Sequence, residues 1–177
     1  GKQLGADDER DLFPAMIELV RVVRPRAIMI ENVRGLLDPK FQEYRRGVEE
    51  HLAEIGYSLQ WKLLQASDFG VPQLRPRVIA VGLRDDMQVS FDYPTPQQLP
   101  APTVGESLVD LMAARGWKGA QAWAARANRI APTLVGGSKK HGGPDLGPTR
   151  ARRAWAELGV NGSTIAPEAP DPDFSGD

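Results

Sequence analysis

The 177-residue chain contains no cysteine and only two histidines, His51 and His141. The first absence removes disulfides, thiolate metal sites and any cysteine nucleophile from these residues. Together the two leave no credible set of metal ligands. Long apolar runs are missing too: none approaches the roughly 18 consecutive apolar residues of a membrane span. No charged, apolar and small-residue series opens the chain as a secretory signal would. A cytoplasmic location without membrane contact is therefore expected. Net charge is also lacking, since 22 Lys and Arg face 23 Asp and Glu. What is present is a composition 41% apolar and 25% charged, ordinary for a globular protein. The length allows one domain with a real core, or one domain and part of a second.

The charge is unevenly placed. Between Arg115 and Trp155 nine Lys and Arg meet a single acid, Asp145, so this segment carries +8 and the remainder −9. Such a block is either a phosphate-facing surface or a solvated face balanced by acids folded beside it.

Residues 8–24 place Leu12, Phe13, Met16, Ile17, Val20 and Val23 at three- and four-residue spacing, which predicts an amphipathic helix. Arg24-Pro25 closes it. The run AIMI, residues 27–30, is short and apolar, as expected of a strand buried on both faces. Asp38-Pro39 offers a cap and a first-turn proline for a second helix. Its stripe is Phe41, Tyr44, Val48, Leu52 and Ile55, with Gly56 as the stop. Further strands are expected from Tyr57 and from Val78, separated by the loop SDFGVPQLRPR. This order predicts an α/β domain with a mostly parallel sheet and a late antiparallel strand. Four prolines in YPTPQQLPAPTVGES, from Tyr93, mark a boundary. Residues 105–127 could form one or two helices, and 135–148 reads as loop. The closing IAPEAPDPDFSGD is proline-rich, acidic and aperiodic, and is expected to be disordered or a cut end.

Ligands in open α/β sheets bind beyond the carboxyl ends of strands, where Glu31 and Asn32 follow AIMI. An acid there is otherwise a capping or surface group. In GVPQLRPR the residues Gln73, Arg75 and Arg77 alternate, so an extended segment projects all three to one side. Two guanidiniums on one face suit an anion or a carbonyl oxygen gaining charge; surface ion pairs with Asp85 or Asp86 are the plain alternative. GGSKKHGG lacks the spacing of a phosphate-binding loop. Asp68-Phe69-Gly70 has none of the companions a kinase triplet needs. His51 on the second helix and Trp61, Trp117, Trp123 and Trp155 read as packing residues.

IENV after an apolar run, followed by ASDFGVPQLRPRVIAVG, resembles the DNA cytosine-5 methyltransferase family. ENV matches its sixth motif and Gln-x-Arg-x-Arg its eighth. DERDLFPAMIELVRVVRPRAIMIENVRGLL is similar to the stretch after that family's Pro-Cys loop, and the likeness runs from Gly1 to about Leu83. APTLVGGSKKHGGPDLGPTRARRAW is similar to the target-recognition region of some bacterial members. The resemblance implies a partial Rossmann-like, S-adenosylmethionine-dependent methyltransferase sheet over residues 1–95. It implies part of an irregular target-recognition, DNA-binding region over 96–177.

By the same resemblance Glu31, Arg75 and Arg77 are catalytic. Glu31 would share a proton with N3 of a flipped cytosine, Arg77 would contact O2 and Arg75 would support the flipped nucleotide. Asn32 and Gln73 would brace the surrounding loops. Leu12 would line the S-adenosylmethionine pocket, although the spacing after Asp8-x-Arg10 is one residue shorter than in some members. Lys139, Lys140, His141 and Arg129 would face double-stranded DNA. The family's cofactor loop and Pro-Cys loop would precede Gly1 and its closing motifs would follow Asp177. An internal fragment of a bacterial, restriction-modification or regulatory DNA methyltransferase, inactive alone, is the expectation. An open sheet edge would favour self-association. The competing readings are a non-catalytic DNA-binding module or accessory subunit with a degenerate methyltransferase fold, and a magnesium nuclease. The latter would need acidic companions for Glu31 that the sequence does not offer.

Overall fold

The computed structural model describes residues 11–135 and 145–175. The chain divides into two compact units, one of residues 1–64 and 76–95, the other of 65–75 and 96–177. Residues 65–75, although flanked in sequence by the first unit, cluster with the second.

In the first unit, α1 (Phe13–Val23) and α2 (Gln42–Glu54) lie against a three-stranded sheet of β1 (Ala27–Val33), β2 (Tyr57–Gln65) and β4 (Pro76–Arg84). The helical stripes meet as their spacing requires. Ile17 and Val20 of α1 pack with Val48 and Leu52 of α2, with Ile55 and with Tyr57. Leu52 is fully buried, which stabilises the fold by roughly 1.5–3 kcal/mol relative to an exposed leucine. Asp11 ties the two helices together: its carboxylate accepts from the Phe13 N–H at 3.0 Å and from the Tyr44 hydroxyl at 2.6 Å. Helix α1 ends at Arg24, which takes a left-handed conformation at φ 52° before Pro25. The Tyr57 hydroxyl donates to the Pro25 carbonyl at 2.6 Å and fixes the entry to β1.

The sheet contains the late antiparallel strand that was expected, β4. The strand order is β1-β4-β2, and β1 runs antiparallel to β4. Strand β4 enters between the two earlier strands, a placement that no local pattern encodes. Two differences concern β1 and α2. Alternate residues of β1 are exposed, with Met29 75% accessible, so AIMI is half-buried rather than buried on both faces. The cause is its position at the sheet edge with one face uncovered. Asp38 does not cap α2; residues 39–41 form a 3-10 turn first, and no side chain caps either segment.

Among the described residues the second unit holds the two-residue strands β3 (Gln73–Leu74) and β5 (Ala131–Pro132), paired in parallel, and three α-helices. These are α3 (Val104–Ala113), α4 (Ala120–Arg126) and α5 (Thr149–Ala156). Thr103 and Glu106 form a reciprocal capping box at the start of α3, satisfying two otherwise orphaned N–H groups. Helices α3 and α4 approach so closely that a Cβ at Gly105 would fall 2.1 Å from the Ala124 carbonyl oxygen. The core joins Val104, Trp123, Ala127, Ala131, Trp155 and Leu158. The closing segment, expected to be disordered, is fastened at two points. The Trp117 indole donates to the Phe174 carbonyl at 3.0 Å, and Arg115 pairs with Glu168.

Candidate active site

Strand register decides which side chains can meet. Val33 lies opposite Arg77, and Glu31 opposite Ile79, so Glu31 and Arg77 are diagonal neighbours on one face of the β1–β4 pair. Long side chains span that diagonal. The Arg77 Nε indeed donates to Glu31 Oε1. A second nitrogen, Nη1, donates to the Pro76 carbonyl at 2.9 Å. The pair lies on the uncovered side of β1, which also carries Met29 and Val33. Glu31 keeps 53% of its side chain accessible and Arg77 keeps 22%. A pair this exposed contributes at most about 1 kcal/mol to stability. Its carboxylate and guanidinium together offer an acceptor and a fork of donors, a set that fits the edge of a planar polar ring.

The remaining expected residues are distributed as follows. The Asn32 carboxamide oxygen accepts from the Val33 N–H at 2.8 Å, so part of its bonding capacity is already used locally. Gln73 sits in β3 opposite Ala131. Arg75 is half-buried, and its guanidinium has no acidic partner among the described residues. Gln73 and Arg75 belong to the second unit, whereas Glu31 and Arg77 belong to the first. Leu12 precedes α1 and is 74% accessible, a large apolar side chain without cover among the described residues. Arg129 is exposed and donates to Glu157 Oε2 at 3.0 Å. Lys139, Lys140 and His141 lie outside the described residues.

His51 is exposed rather than partly buried, its ring nitrogen Nδ1 bonded to the Gly47 carbonyl at 2.6 Å. Among the described residues no three His, Cys, Asp or Glu side chains cluster to hold a metal. No helix among them is long and apolar enough to cross a membrane. Sequence reasoning counted Arg126, Arg152 and Arg153 in the basic block without singling them out. The available signal was the three- and four-residue spacing of Thr149, Arg152, Arg153 and Ala156.

Residues 1–153 match the family model for the C-5 cytosine-specific DNA methylase. This chain belongs to that family. Within the C-5 cytosine-specific DNA methylases, it is 61% identical over 172 residues to the Type II methyltransferase M.NaeI of Lentzea aerocolonigenes. That alignment covers 97% of this chain and 41% of that protein. It is 56% identical over 135 residues to the Type II methyltransferase M.NgoMIV of Neisseria gonorrhoeae, across 76% of this chain and 43% of the relative. The chain thus spans about two fifths of the length of these curated relatives. Among solved structures, a mutant of Spodoptera frugiperda DNMT2 superposes on 57% of this chain and 33% of its own. The TM-score is 0.45 at 24% identity, a likeness too slight to add weight to the assignment.

Proposed function

We propose that the protein acts as a DNA (cytosine-5-)-methyltransferase on duplex DNA in the cytoplasm, as the methylating partner of a Type II restriction-modification system. The observation that carries this reading is the Glu31–Arg77 pair on the open face of β1 and β4, in a chain that belongs to the C-5 methylase family. C5 of cytosine is a weak nucleophile until a thiolate adds at C6 and pushes electron density toward N3 and O2. No residue of this chain can supply a thiolate. Its own residues stabilise the charge instead. Glu31 gives a proton to N3 and accepts from the N4 amine, and Arg77 donates to O2. Arg75 supports the everted nucleotide, while Asn32 and Gln73 brace the loops around it.

Residues 1–95 serve as the later half of the catalytic domain, with β1, β4 and β2 the part of a mostly parallel sheet that includes its antiparallel strand. Residues 96–177 serve as part of the target-recognition region. Turning a base out of the stack costs a few kcal/mol, which phosphate contacts from Arg129, Lys139, Lys140 and His141 offset. The exposed Arg129–Glu157 pair is weak enough to yield to a phosphate. The open edge of β1 favours association with a second copy when this chain stands alone.

S-adenosylmethionine supplies the methyl group when bound. Exposed Leu12 fits one apolar wall of its pocket. The neighbouring Asp11 is already committed to Phe13 and Tyr44, so Leu12 alone is assigned to the donor here. The test is to incubate the intact protein with duplex DNA and radiolabelled S-adenosylmethionine, then digest to nucleosides. Label in 5-methylcytosine is expected. Label on an exocyclic nitrogen, or none, would overturn the reading.

A further inference from the structure

The second unit contains a cavity that no part of the proposed chemistry uses. It has a volume of about 450 Å³ and lies between the end of α4, one face of α5 and the turn at residues 159–163. Its polar lining is Arg126, Thr149, Arg152, Arg153, Asn161 and Ser163, and no acid contributes to the wall. The helix explains the grouping. Thr149, Arg152, Arg153 and Ala156 are three or four residues apart, so they share one face of α5. Trp155 and Leu158 are buried in the core of the unit.

Charge within the cavity is not cancelled. Arg152 lies 3.7 Å from the buried carboxylate of Asp145, which offsets it. Arg126 and Arg153 are exposed, and neither has an acidic partner among the described residues. The Asn161 carboxamide oxygen accepts from the Ser163 N–H at 3.0 Å, leaving its NH2 as a free donor. Two guanidiniums, an amide NH2 and hydroxyls around an open hollow form a set of donors without an acceptor partner.

The backbone is shaped to hold this set. Gly159 adopts φ +70°, and a Cβ there would come within 2.4 Å of the Arg126 guanidinium. The left-handed turn favours glycine here, and its missing Cβ leaves room for the Arg126 guanidinium. The buried Trp123 indole donates to the Gly159 carbonyl at 3.1 Å, fixing the turn against the core.

We propose that this cavity receives one backbone phosphodiester of duplex DNA, held by Arg126 and Arg153 and oriented by Asn161 and Ser163. The inference rests on the DNA-methylating reading above. A phosphodiester carries one negative charge on two oxygens, which a guanidinium fork meets with paired hydrogen bonds. The hollow opens to solvent, so a phosphate still attached to its strand can enter. The contact positions the duplex and reads no base.

The test uses the intact protein and two labelled duplexes, one containing its methylation site and one lacking it, titrated across about 50–200 mM salt. Replacing Arg126→Ala and Arg153→Ala together should weaken binding to both duplexes by the same factor. It should lower the magnitude of the slope of log K against log salt by about 1, the value for one lost phosphate. The Arg126→Lys, Arg153→Lys protein should recover the slope, since a point charge still displaces the counterion. An unchanged affinity and slope in the alanine protein would overturn the cavity assignment. So would a stabilisation of the wild-type protein by inorganic phosphate, lost in the alanine protein while the DNA slope stays the same, because the cavity would then serve the free anion. If the wild-type protein bound neither duplex, the methyltransferase reading itself would fall.

Discussion

Arg77 meets two acceptors with two different nitrogens, Glu31 through Nε and the Pro76 carbonyl through Nη1. The planar fork aims two separate nitrogens at these acceptors, a geometry that the single nitrogen of an ammonium does not reproduce. Arg77→Lys in the intact protein is therefore expected to restore less than about one tenth of the turnover lost in Arg77→Ala, read as kcat under saturating DNA. Full recovery would mean that charge alone matters there. Tyr44 gives a prediction of another kind. Burial first, and then its bond to Asp11, raise its phenol above the ordinary value of 10.0. The folded state thus holds this proton more tightly than the unfolded chain. Its stabilising effect is complete below pH 10 and declines as pH rises above that value toward the raised folded one. The thermal midpoint of Tyr44→Phe should consequently depend less on pH above 10 than that of the natural sequence. Parallel profiles would show that the folded state does not hold the Tyr44 proton more tightly.

Two cores carry the elements, and each has one residue whose removal reports on it. Leu52 on α2 is fully buried, and Leu52→Ala should cost about 2–5 kcal/mol in denaturant unfolding. Trp123→Phe keeps most of the packing but loses the bond to the Gly159 carbonyl, a loss of about 1 kcal/mol. The elements readable in sequence were those whose own spacing fixes their buried face. The stripe through Ile17 and Val20, and that through Val48 and Leu52, both reached the core as expected. What stayed hidden depended on distant partners. The stretch TRARRAWA shows a basic face but little apolar periodicity, and α5 owes its burial to Trp155 meeting Trp123 and Ala127 in the second unit's core. The entry of β4 between β1 and β2 likewise arises from long-range pairing. For the site, the alternation of arginines and the acid ending an apolar run were both visible. The register that makes Glu31 and Arg77 neighbours was not.

At the scale of the whole molecule, the chain combines a sheet face presenting Glu31 and Arg77 in one unit with a basic stretch, residues 115–155, in the other. Under the proposed function the two tasks separate: the pair on the sheet would stabilise charge on the reacting base, and the basic stretch would hold the duplex. Variants of the first should then lose rate while keeping affinity. The most direct measurement is single-turnover methylation by the intact protein carrying Glu31→Gln or Arg77→Ala, with duplex affinity measured on the same preparations. The account predicts a rate at least about 100-fold lower for each, the scale of a lost charge-stabilising donor, with affinity within about threefold of the natural protein's, less than 1 kcal/mol. Unchanged rates, or rates that fall only in step with affinity, would contradict it.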